Sequence, residues 1–237
     1  MSNIDYPNSH VASMASVDER SMFIRRTYAH LAGAIGAFAF LISLLMSIPG
    51  IEGTVFGLLS TSRYSWLIVM GMFIGVSYLA DRWASSDSSR GIQYAGLGLY
   101  VVVEAVIFLP LLLLARAMTG DALLIYQAGF LTVVLFVGLS VVALTTRKDF
   151  SFLGGILKVG GILALGLVVA SFFFQGLSLG LWFSAAMVLL AAGSVLYTTG
   201  NMIHRYRTDQ YVAASLGLFS AVALMFYYIL RILMSRR

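Results

Sequence analysis

The chain has 237 residues, of which 60% are hydrophobic and 11% charged, and its mean hydropathy is +0.93. Soluble domains carry about 25% charged residues, so a soluble enzyme, a nucleic-acid-binding domain and a disordered chain are excluded. The net charge of +5 is read as basic residues gathered at the ends of membrane spans, and the absence of cysteine excludes disulfides, thiolate metal sites and cysteine nucleophiles.

Residues 1–22 are polar, rich in serine and asparagine and without apolar periodicity, as expected of a flexible cytoplasmic tail. Arg25 and Arg26 then precede an apolar run that is too long for a signal-peptide core, so it is read as a retained first span. A span takes roughly 20 apolar residues. Seven are predicted, at about 28–48, 64–80, 92–115, 122–144, 152–174, 181–202 and 211–231, within a transmembrane domain of residues 23–235. Runs such as Val101-Val102-Val103 do not alternate, which argues for helices rather than a β-barrel. A cytoplasmic N-terminus puts nine cations on the inner side (Arg20, Arg25, Arg26, Arg82, Arg90, Arg147, Lys148, Arg205 and Arg207). The outer side then holds Arg63 and Arg116, with Arg231, Arg236 and Arg237 at the C-terminal end. The positive-inside rule therefore predicts N-in and C-out in the bilayer.

Small residues recur four apart as Ala29, Gly33, Ala37, as Gly71, Gly75, and as Ala213, Gly217, Ala221. This spacing predicts close helix packing. Gly154-Gly155 and Gly160-Gly161 are expected to loosen the fifth span, and Pro110 to kink the third.

Gly176-Leu177-Ser178-Leu179-Gly180 matches a G-x-S-x-G nucleophile pattern, but it falls in a short loop and the three histidines lie on the opposite side. No metal-ligand spacing or phosphate-binding loop appears, so neither an enzyme nor a cofactor is expected. Glu104 and Lys158 are the ionisable residues inside predicted spans. A mid-membrane charge costs roughly 2.5–3.5 kcal/mol on insertion scales, which makes both functional candidates. Either they pair, or Glu104 bonds a hydroxyl while Lys158 snorkels to the interface.

The inner-loop stretch Thr145-Thr146-Arg147-Lys148-Asp149-Phe150-Ser151-Phe152-Leu153-Gly154-Gly155 resembles the T-x-+-D-x-S-x-x-G signature of the Bax inhibitor-one (TMBIM) superfamily. Leu196 to His204, Phe23 to Tyr28 and Ile229 to Leu233 resemble its bacterial YccA-type branch, and Glu104 with Pro110 resembles the third-helix pattern. The resemblance covers about residues 23–235. It implies an all-α integral membrane fold, a seven-transmembrane bundle with six helices around a central seventh, in a bacterial inner membrane. It also implies a non-enzymatic modulator of the membrane protease FtsH, with HflK/HflC as further partners and the N-terminal tail as the protease's handle. The other function it implies is a leak for Ca²⁺ or H⁺, with Glu104 as the pathway acid. Calcium-leak members carry one aspartate in the sixth span and another in the seventh. Aligned on those patterns, this chain has Thr198 and Ala221. Two carboxylates that share a proton make a pH switch, and neither residue here can titrate. Asp149 is expected either to gate with Arg147 or Arg205, or to cap the following helix.

Overall fold

The computed structural model describes residues 11–62, 64–85, 89–146, 148–174 and 179–236. These form eight helices: α1 (Val17–Met46), α2 (Ile51–Ser60), α3 (Ser65–Ala84), α4 (Arg90–Thr119), α5 (Leu123–Thr145), α6 (Leu153–Phe173), α7 (Leu181–His204) and α8 (Tyr211–Ser235). Seven are long and apolar enough to cross a bilayer. They correspond to the seven expected spans. The short α2, between the first and second spans, is an addition. Ten residues rise only about 15 Å, too little to span hydrocarbon. The chain enters α2 through Gly50, whose φ of +77° suits glycine.

The helices alternate in direction. The end where α1, α4, α6 and α8 begin is termed basal here, and the opposite end distal.

α1 begins at Val17, ahead of the boundary expected at residue 22. Ser16 explains the early start. Its hydroxyl accepts from the Glu19 N–H at 3.2 Å, and the Glu19 carboxylate accepts from the Ser16 N–H at 3.1 Å. This reciprocal capping box satisfies two of the helix's free donors. Upstream, the Ala12 N–H donates to the Tyr206 carbonyl at 3.0 Å, Val11 pairs with Arg207 in an isolated bridge, and Ala12 is fully buried. Val11 and Ala12 are thus tied to the α7–α8 connection.

α8 carries the core. Sixteen of its 25 residues are buried, and it packs against α1, α3, α4, α5 and α7. α6 buries only Ala164 and leans on α7. With no water in hydrocarbon to satisfy polar groups, several buried hydroxyls bond backward within their helices. Thr27 donates to the Phe23 carbonyl at 3.0 Å and Thr132 to the Ala128 carbonyl at 2.7 Å.

The glycine contacts correct part of the small-residue expectation. Gly33, Gly71 and Gly75 have open space where a Cβ would stand. The close approaches are elsewhere. A Cβ on Gly96 of α4 would lie 2.5 Å from the Ala80 carbonyl oxygen and 2.6 Å from the Ala84 nitrogen. Gly154 and Gly160 face Tyr197 and Leu190 of α7, so these glycines seat α6 rather than loosen it. Of the expected sets, that of α8 does mediate packing, through Gly217. α4 continues helical through Pro110.

Candidate functional site

The membrane-embedded acid defines the site. Along α4 the buried residues recur as Gly96/Leu97, Tyr100/Val101, Glu104/Ala105 and Phe108/Leu109, the period of a helix face turned inward. Glu104 is on that face and is 5% exposed. Its carboxyl neighbours the Tyr100 hydroxyl, and Tyr100 donates to Ser220 Oγ of α8 at 2.9 Å. A serine from α8 thus extends the polar group set by two α4 residues one turn apart.

A cleft of about 600 Å³ opens beside this group, walled by residues of α3, α4, α6, α7 and α8. The α8 wall follows one stripe, Ser220, Leu224, Tyr227/Tyr228 and Arg231. These positions share a face because side chains three, four and seven apart stack. Arg231 at the distal end donates to the Leu179 carbonyl at 3.3 Å and stands near the Tyr227 hydroxyl. Between the polar ends the walls are aromatic and aliphatic, including Trp66, Phe73, Phe108 and Phe172.

Lys158 is exposed on α6, and Glu104 is buried. Among the described residues they form no ion pair. Arg147 and Ser178 lie outside the described residues. Asp149 precedes α6. Its carboxylate accepts from the Ser151 N–H at 2.8 Å and from the Ser151 hydroxyl at 2.9 Å. It therefore fixes the turn before α6 rather than bonding the first-turn amides of the helix, because Phe152 occupies the cap position. These two hydrogen bonds hold the Asp149 carboxyl below the usual aspartate range, with His204 and Arg205 adding a favourable field. Arg205 makes no salt bridge with it.

Thr198 of α7 packs on α8 at Gly217. A Cβ there would meet the Thr198 methyl at 3.2 Å. Ala221 lies one turn further along α8 and is buried in the core. Thr198 and Gly217 thus meet in an uncharged contact between α7 and α8. Nearby, burial pushes the Tyr206 phenol up to about 12, with help from Asp81 and Tyr197, so it stays neutral.

Sequence reasoning did not single out a second basal cluster. His30 Nδ1 lies 2.7 Å from the Arg26 carbonyl and Nε2 lies 3.0 Å from the Tyr94 hydroxyl. A carbonyl only accepts, so Nδ1 carries the proton. Tyr94 lies 3.3 Å from the Tyr211 hydroxyl, and the Arg26 and Arg90 guanidiniums stand over the Tyr211 ring. Arg90 also donates to the Asp209 carbonyl at 2.6 Å. The signal was present as cations and aromatics at helix starts, but that pattern reads equally as interfacial anchoring. Tyr100, Ser220 and Arg231 were also missed. Only the i, i+4 stripes marked them.

Comparison with known proteins assigns this architecture. A family model described as "Inhibitor of apoptosis-promoting Bax1" matches residues 20–237. The chain belongs to the Bax inhibitor family. It is 30% identical to "Modulator of FtsH protease YccA" of Escherichia coli K12, over 82% of this chain and 86% of that protein. A Campylobacter jejuni protein of uncharacterised role, Cj0236c, is 28% identical over 98% and 96%. Bax inhibitor 1 of Schizosaccharomyces pombe is 27% identical over 90% and 76%. The chain is a transmembrane member of this family, and its E. coli relatives include one named as an inner membrane protein.

Proposed function

We propose that this chain is a non-enzymatic modulator of an FtsH-type membrane protease, acting in membrane-protein quality control, with its N-terminus cytoplasmic and its C-terminus outside. The observation that carries the reading is the similarity, across most of both chains, to the E. coli protein named for that role. Thr198 and Ala221, the residues expected at the leak members' acidic positions, support it over an acid-gated leak, since two uncharged residues cannot share a proton. Because Val11 and Ala12 are pinned to Arg207 and Tyr206, the handle offered to the protease is the segment before Val11. Co-purification of FtsH with the full chain, and with a chain lacking residues 1–10, tests this. Retention by the full chain and loss on truncation is expected. Failure of the full chain to retain FtsH would refute it.

The second reading is a proton or cation leak, and Glu104 in a membrane-embedded cleft is what favours it. Ca²⁺ and H⁺ flux in proteoliposomes at several pH values decides between them. Flux abolished by Glu104→Gln would put the leak first.

A further inference from the structure

The distal half of the cleft holds a cation whose partners are neutral. The Arg231 guanidinium donates to a backbone carbonyl and stands near a phenol. Among the described residues no carboxylate forms a salt bridge with it. Glu104 lines the same cleft but is too far away to neutralise it. Tyr100 meets Phe219, and Phe108 stacks on Phe226. This register puts Glu104 about eight residues below Arg231, ~12 Å along the axis at 1.5 Å per residue. Between the two, the cleft is apolar, walled by side chains such as Trp66, Phe73 and Phe172.

We propose that this cleft binds a single-chain anionic amphiphile, a long-chain carboxylate, with its head on Arg231 and its hydrocarbon tail pointing toward Glu104. Polarity runs in the order such a ligand requires. A guanidinium at one end can take a carboxylate through two parallel charge-assisted hydrogen bonds, and the walls beyond it remove hydrocarbon from competing contacts. About 600 Å³ lies within the 300–1,000 Å³ usual for small-molecule sites. Glu104 fixes the orientation, since an anionic head at the inner end would meet a buried carboxyl. The Tyr100–Ser220 hydrogen bond closes the floor, ~16 Å from Arg231 by the rise of α8. Entry is past α6, the wall that buries a single residue of its own.

The test uses the full chain in phosphatidylcholine nanodiscs, with Trp83→Phe and Trp182→Phe so that Trp66 in the cleft reports. Dibrominated stearate is expected to quench Trp66 saturably, and its methyl ester to bind at least tenfold more weakly. Arg231→Gln should weaken the acid at least tenfold, Arg231→Lys should restore it to within a few fold, and Ala164→Phe should block it by filling the opposite wall. Quenching that never saturates, that is equal for acid and ester, or that survives Arg231→Gln would overturn the proposal and leave Arg231 as an interfacial anchor. Equal competition by diacyl phosphatidylglycerol would overturn the single-chain assignment. Should Arg231→Gln fail to fold, the acid-against-ester comparison on the chain with native Arg231 decides.

Discussion

Replacing Gly96 by alanine adds one methyl group at the tightest point between α3 and α4. That methyl would stand 2.5 Å from the Ala80 carbonyl oxygen, 2.6 Å from the Ala84 nitrogen and 3.0 Å from Trp83 Cβ. Two of the three obstacles are backbone, so relief requires α3 to move as a unit, and no rotamer change suffices. Overpacking costs about 1–3 kcal/mol, and this contact belongs at the upper end. Gly98, two residues on, supplies the control, because its Cβ would meet nothing within 4 Å. There alanine should gain the roughly 0.5–1 kcal/mol by which it exceeds glycine in a helix. The two variants should therefore differ by about 3 kcal/mol, or roughly 6–12 °C in Tm for a chain of this length. Thermal unfolding in detergent, followed by tryptophan fluorescence, measures the gap. Gly96→Ala as stable as Gly98→Ala would refute the reasoning, and would mean that α3 and α4 are not held in this register.

Substitutions at four other positions probe separate parts of the structure. Glu104→Gln keeps a polar group of the same shape beside Tyr100 and should shift stability by only about 0.5–1.5 kcal/mol, whereas Glu104→Lys buries a cation without a countercharge and should cost about 3 kcal/mol or more; denaturation in mixed micelles separates them. Lys158→Gln should change stability by less than about 0.5 kcal/mol in the same assay, because the side chain is exposed and unpaired with Glu104. The depressed Asp149 carboxyl contributes order that is present above its unfolded value, near 4, and is lost as pH falls through the lower folded value; proteolysis of the 148–152 turn should rise only below about pH 4, and Asp149→Asn should remove that dependence. Ser16→Ala removes the reciprocal cap of α1 and should cost about 0.5–2 kcal/mol, read as faster amide exchange in residues 17–20.

The comparison of sequence with structure turns on which properties are local. Glu104 was identifiable as exceptional because a carboxylate within a 24-residue apolar run stands out wherever the helix faces. Its neighbours were not identifiable. Tyr100 is four residues away, but Ser220 is 116 positions on, and only the approach of α4 and α8 makes them a unit. Lys158 stood out for the same local reason, yet α6 turns it outward. Asp149 was recognised, and its hydrogen-bond partner proved to be Ser151 rather than the amides of α6. The short α2 escaped because a window sized for a span averages it away.

Composition and hydropathy, read along the chain, settled the solvent, the helical class and the seven spans. These follow from a rise per residue and a hydrocarbon thickness, and neither depends on the rest of the fold. The faces were settled by tertiary packing. Ala29-Gly33-Ala37 and Gly71-Gly75 have the spacing of a close interface, but Gly33, Gly71 and Gly75 face open space, while Gly96, which has no such spacing partner, meets the backbone of α3. Arg231 likewise looked like an interfacial arginine at the end of a span. It shares a cleft with Glu104 because α3, α4, α6, α7 and α8 leave a gap between them. A helix sequence specifies which residues share a face, and only its neighbours determine whether that face meets lipid, another helix or a cavity.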